Sequence, residues 1–261
     1  MKITIKNISF SSLIQFSLLI YGLSSSLPIV ASANLDVFDP QQFKLSGHVN
    51  ISSDYHWRGI SMSQRKPSIQ GGLQVAHSSG VYTGIFAAST DIKNGSSAEM
   101  DYLLGYRYKF DNNTLILQFI NIHYPGSHPA IKTTFSEYSI GYEGHSLLTP
   151  QDRFTTALIF SPEYYDHSGN MWRFEAYYSY PILQHFGIFS AVGTTKLEDQ
   201  QAFEKVWANP RKDQYYNWKL GLNTTLFGLF SELYYADNST VNPNIASMRG
   251  QRVIFSVTKG F

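Results

Sequence analysis

Two kinds of side-chain arrangement in this sequence could do chemistry. The first is a set of charged and polar groups at every second residue, such as Glu99-x-Asp101 and Arg173-x-Glu175. Groups spaced by two share one face of a strand, and several such strands side by side would bring them into a ring able to sort solutes by charge. The second kind pairs a histidine with a serine, at His77/Ser79 and His145/Ser146. An imidazole base beside a hydroxyl is the start of a covalent hydrolytic site. Metal chemistry finds less support. There is no cysteine, and the eight histidines nowhere show a His-x-x-x-His or comparable ligand spacing. No catalytic, metal-binding or cofactor-binding residue is expected, and the formal charge of +1 provides no basic field for nucleic acid.

The elements that must carry these groups alternate with period two almost throughout. In 43–55, Phe43, Leu45, Val49, Ile51 and Tyr55 oppose Lys44, Ser46, His48, Asn50, Ser52 and Asp54. In 99–110, Met100, Tyr102, Leu104, Tyr106, Tyr108 and Phe110 oppose Glu99, Asp101, Arg107 and Lys109. The same split recurs in 69–76, 171–180, 215–224 and 252–258, whereas 81–90, 114–124 and 186–195 are apolar on both faces. Such alternation predicts strands with one apolar and one polar side. Twelve segments emerge: 43–55, 67–77, 81–91, 98–110, 114–124, 133–143, 153–165, 170–181, 186–196, 214–225, 228–237 and 249–261. Their lengths suit tilted strands crossing a bilayer better than the roughly five or six residues of a sandwich strand. Charged residues make up only 15% and aromatics another 15%. Soluble domains carry roughly 25% charged residues, so this balance fits an outer surface facing lipid.

Residues 1–33 read as a secretory signal: Lys2 and Lys6, an apolar stretch, then Ala31-Ser32-Ala33 as the cleavage site. Its removal leaves 18 basic and 19 acidic side chains, a net charge of −1. Residues 34–42 are expected to form a short periplasmic tail and 43–261 the folded body. No later apolar run reaches membrane-helix length, so membrane residence requires a closed β-barrel. The connections agree. The stretches 56–66, 92–97, 125–132, 166–169, 197–213 and 238–248 tend to be long, and those between them, apart from 144–152, are short. Alternating long and short connections predict external loops and periplasmic turns. The expected fold is therefore all-β: a single antiparallel transmembrane barrel of about twelve strands with periplasmic termini, ten or fourteen being the alternatives. Phe261 ends a strand whose Val253, Phe255 and Val257 share its face, interrupted by Lys259. That arrangement resembles the signal read by the bacterial barrel-assembly machinery.

The segment Ser53-Asp54-Tyr55-His56-Trp57-Arg58-Gly59-Ile60-Ser61, followed by Lys66-Pro67, Gln70-Gly71-Gly72 and Ser79-Gly80-Val81-Tyr82-Thr83-Gly84, resembles the TorF-type porin family. These are proteobacterial outer-membrane proteins, most of them long called conserved hypothetical proteins. Tyr124-Pro125-Gly126 and Glu137-Tyr138 are similar to the same family's mid-chain pattern. His56 and Trp57 stand where that pattern has Tyr or Phe. The resemblance implies an outer-membrane barrel and a pore, and brings no substrate or catalytic residue.

On this alternation the lumen is expected to carry His48, Asp54, Gln70, Gln74, Glu99, Asp101, Arg107, Glu137, Arg153, Arg173, Glu175, Lys219 and Glu232. Arg58, in the first long loop with Arg65, could pin that loop inward onto lumenal carboxylates. The tyrosine pairs 164–165, 177–178, 215–216 and 234–235 are expected in interfacial girdles. Both His/Ser pairs fall at short turns and are expected to be turn residues. The expected function is passive passage of small hydrophilic solutes, in contact with outer-membrane lipid. The alternatives are a non-conducting structural or binding barrel and, behind it, a lipid-modifying enzyme. Alternation does not specify an oligomeric state.

Overall fold

The computed structural model describes residues 40–207, 212–239 and 250–261. The expected signal peptide and most of the tail lie outside the described residues. Twelve long strands close into an antiparallel barrel: β1 (Phe43–Ser52), β4 (Ser68–His77), β5 (Val81–Ser89), β6 (Ala98–Phe110), β7 (Asn113–His123), β8 (Phe135–His145), β9 (Arg153–Ser161), β10 (Met171–Leu183), β11 (Phe186–Leu197), β12 (Gln214–Leu226), β13 (Leu229–Asn238) and β14 (Arg252–Gly260). A miniature hairpin, β2 (His56–Trp57) and β3 (Ile60–Ser61), interrupts the connection between β1 and β4. Each long strand pairs with its neighbour in the chain, and β1 closes the ring against β14 with His48 opposite Gly260 and Ser52 opposite Ser256. Closure removes the edges, so strand backbone groups find partners without water.

The period-two pattern sorts itself as expected. Leu45, Val49, Ile51, Ile69, Tyr102, Leu104, Trp172, Phe174, Leu220, Val253 and Phe255 stand exposed on the outer wall. An apolar belt of this extent belongs against lipid. Turn geometry follows strand twist: Phe227 and Gly228 join β12 to β13 with φ of 54° and 72°. Two residues with positive φ are what a tight hairpin with right-handed strand twist requires. Both described ends of the chain lie on the short-turn side, where the backbone of Phe261 pairs with Gly47 in both directions at 2.9 Å.

At the other end the connections are longer and hydrogen-bonded to one another. His128 N–H donates to the Asn94 carbonyl and Asp166 N–H to that of Lys132, both at 2.7 Å. The connection after β11 holds α1 (Gln200–Trp207), capped by Asp199 Oδ1, which accepts from Ala202 N–H at 2.8 Å. Phe203 of α1 is fully buried, near Tyr215.

Two expectations need correction. First, the strands predicted over 43–55 and 153–165 stop at Ser52 and Ser161, because Tyr55 and Tyr164 turn inward and bury themselves. Second, the tyrosine pairs are not girdle pairs. Tyr177, Tyr215 and Tyr234 are buried inside the barrel while Tyr178, Tyr216 and Tyr235 are not. Adjacent strand residues point to opposite faces, so both cannot meet lipid.

Candidate functional site: the lumen and its inserted hairpin

The lumen is occupied by the first long connection. After Ser52 the chain turns into the barrel as the β2–β3 hairpin, whose tip is Arg58-Gly59 with φ of 52° and 84°. Glycine serves the second position twice over: the backbone is left-handed there, and a Cβ would stand 2.5 Å from the Asn217 Cβ on β12. The tip is held from several walls. The Arg58 guanidinium forms a two-pronged pair with Glu137 on β8, at 2.6 and 2.7 Å. Its backbone carbonyl accepts from the Tyr215 hydroxyl of β12 at 3.1 Å, and the Gly59 carbonyl accepts from the Asn238 amide of β13. The Arg58 and Glu137 side chains are only 9% and 2% exposed, so this ion pair is desolvated. Arg58 also lies 4.1 Å from the centre of the Trp57 ring.

The hairpin base is equally bound. Asp54 accepts from Arg252 at 2.6 Å through one carboxylate oxygen and from the hydroxyls of Ser61 and Ser63 through the other. Tyr55 donates its hydroxyl to Glu99 on β6 at 2.6 Å. Around this polar framework Tyr55, Ile60 and Met62 join Tyr82, Phe86, Leu103, Ile116, Ile122, Ile159, Phe189 and Ile254 in one buried apolar cluster. The segments that were apolar on both faces, in β5, β7 and β11, therefore supply the exposed outer wall on one side and core on the other.

The candidate lumenal residues divide into groups. Asp54, Glu99, Asp101, Glu137, Arg173, Lys219 and Glu232 are buried inside the barrel. Arg173 and Glu175 form a pair at 2.8 Å, with Arg173 also donating to Thr195 and Asn217. Lys219 Nζ lies 5.0 Å from the Tyr234 ring centre and 5.4 Å from that of Phe189. Gln70 donates to Ser52 at 2.9 Å. His48, Arg107 and Arg153 stand apart from the hairpin. His48 stacks beside Phe86 with ring centres 6.4 Å apart. Arg107 lies 3.8 Å over the Tyr82 ring and donates to Gln74. Arg153 sits at the start of β9, in the short-turn mouth. Between the hairpin tip and the wall a cavity of about 60 Å³ is left, bounded by Asp101, Glu137 and Glu175 together with Arg58, Arg173 and Lys219.

Sequence reasoning passed over Arg252, Tyr55, Tyr215, Asn217 and Asn238. Arg252 was legible, since it shares the alternation of Ser256 and Thr258. The others become site residues only through where the hairpin docks. The His77/Ser79 pair sits in a turn away from the hairpin, and His145 stands opposite Arg153 at the short-turn mouth. Ser79 Oγ is 2.8 Å from His77 Nδ1, whose other nitrogen faces Gln42 Oε1 at 2.9 Å, in an exposed short turn. The same Nδ1 accepts the Ser79 backbone N–H at 3.2 Å, which makes the imidazole a cap of its own turn. Ser146 directs its hydroxyl to the Pro150 carbonyl. Among the described residues no group of three or more His, Asp or Glu side chains is arranged to hold a metal ion.

Two solved porin structures share this fold. The NanC porin superposes with a TM-score of 0.51 at 12% identity, covering 82% of this chain and 98% of its own. The KdgM porin gives 0.51 at 9% identity, covering 83% and 99%. At such identities the likeness is one of fold. No curated protein matches the chain in sequence. Residues 39–261 match the bacterial family described as "Bacterial protein of unknown function (Gcw_chp)", to which this chain belongs.

Proposed function

We propose that this protein is a narrow outer-membrane channel of the TorF type, passing small hydrophilic solutes through a lumen constricted by the β2–β3 hairpin. The observation that carries the reading is the residual cavity of about 60 Å³ at the hairpin tip, lined by charges of both signs. A buried polar lining is stable only where its groups pair or water reaches them. One water needs on the order of 10–15 Å³ of such space, so the cavity holds a few waters at a time. With the hairpin seated, ions and very small solutes pass; larger ones require the tip to yield. Lipid surrounds the outer wall, Phe261 serves barrel assembly, the termini are periplasmic, and no enzymatic step or cofactor is involved.

Planar-bilayer recording of the refolded chain tests this. Small steady openings are expected, with ion selectivity shifting in Arg107→Glu and Arg173→Glu. The packed apolar cluster inside the barrel favours a second reading, a non-conducting structural barrel. Silence over repeated insertions of heat-modifiable, correctly folded protein would establish that second reading instead.

A further inference from the structure

A second cavity, of about 180 Å³, opens in the short-turn mouth and is separate from the hairpin. Arg153 of β9, Ser179 of β10, Gly187 of β11 and Asn223 of β12 face it from successive strands, with Gln151 and Gln184 at its rim. The register sets Arg153 opposite Ser179 and Gly187 opposite Asn223, with Gly187 also opposite Pro181 of β10. Two features of this wall are unusual. Arg153 is half-buried, yet among the described residues its guanidinium has no hydrogen bond and no ion pair; Glu143 on β8 acts on it electrostatically and His145 stands opposite it in register. Asn223 is 3% exposed and its amide nitrogen is buried without a partner among the described residues. A buried donor left without an acceptor is costly, and a guanidinium without a hydrogen bond in the same cavity is a two-pronged donor for an acceptor. Among the described residues no carboxylate lines the cavity. Its space also depends on Gly187, where a Cβ would stand 2.6 Å from Asn223 Oδ1 and 3.2 Å from the Tyr180 carbonyl.

We infer that this mouth is a binding site for an oxyanion, a carboxylate or phosphate group, held by Arg153 in two-pronged fashion and by the Asn223 amide. The site does not depend on whether the barrel conducts, because its binding is read without transport.

Isothermal titration of the full chain, refolded in a sugar-headgroup detergent, tests it with sodium phosphate and sodium acetate against chloride at equal ionic strength. A parallel arm uses short-chain phosphatidylglycerol, so that the tighter arm identifies a free solute or a lipid headgroup as the source. Saturable binding is expected, weakened at least tenfold in Arg153→Gln. It is also weakened in Gly187→Ala, where the added methyl displaces the Asn223 amide. Lys109→Gln removes an exposed cation from the same end of the barrel and leaves binding unchanged. Absence of Arg153-dependent binding in both arms overturns the inference. If Arg153→Gln does not fold, undiminished binding in Gly187→Ala overturns it equally.

Discussion

Arg58→Ala isolates the hairpin's docking from the barrel that surrounds it. The substitution removes both prongs of the pair with Glu137 and leaves a carboxylate that is almost wholly enclosed. Breaking one side of a buried pair costs about 3–5 kcal/mol, most of it from the charge left behind. At about 1.4 kcal/mol per factor of ten, the ratio of seated to released hairpin falls by a factor of roughly 10² to 4 × 10³. The Tyr215 and Asn238 contacts to the tip backbone survive, at about 1 kcal/mol each, and cannot compensate. The double variant Arg58→Ala/Glu137→Ala leaves no uncompensated charge, so it loses less than the sum of the singles. The assay is a double-mutant cycle read in two ways: open-channel probability in planar bilayers and hydrogen exchange across residues 54–63. Larger or longer openings in Arg58→Ala, partly reversed in the double variant, are expected. Additive effects within about 0.5 kcal/mol in correctly folded protein would refute the claim that this pair seats the hairpin.

Gly59→Ala also unseats the tip, through the left-handed backbone and the approach of Asn217, and lowers hydrogen-exchange protection in the hairpin while the strands keep theirs. Lys66→Ala changes unfolding free energy by less than about 1 kcal/mol, because Lys66 and Asp91 are 67% and 32% exposed and such pairs contribute little. Hydrogen bonds from Lys93 and Lys66 hold the Asp91 carboxyl below its usual range. It therefore favours the fold above the ordinary carboxylate pKa and loses that contribution as pH falls through the folded value; NMR titration against Asp91→Asn follows it. Phe261→Ala strips the ring that lies over Gly47 at the β1–β14 seam and lowers the heat-modifiable fraction on gels. Ser79→Ala leaves the refolded protein unchanged in any phospholipid-hydrolysis assay.

Much of the fold was legible because its physics is local. Leu45, Val49 and Ile51 alternate with Ser46, His48 and Asn50, and a strand can place such residues only on opposite faces. The twelve segments and their long and short connections follow from the same rule applied repeatedly. The helix over 200–207 was not among the twelve expected segments: Phe203 packs with Val206 and Trp207 at helical spacing, a period that strand alternation does not register. Lumenal positions such as Asp101, Arg173 and Lys219 were readable from alternation. Their partners were not, because pairing across a barrel joins residues whose separation in sequence means nothing: 79 positions divide Arg58 from Glu137, and 198 divide Asp54 from Arg252.

The sequence by itself determined that strands would form, which face of each would stand on the outer wall, and at which end the long connections would gather. The tertiary structure decided what fills the ring. The interior of a closed barrel is shared by all twelve strands, so whether it becomes water-filled or packed depends on one segment entering and on every wall offering it a partner. Arg58 finds Glu137, Tyr55 finds Glu99, and Ile60 meets apolar residues that alternation alone had left without a side to face. These are long-range contacts made only after closure, and no periodicity within a single strand encodes them.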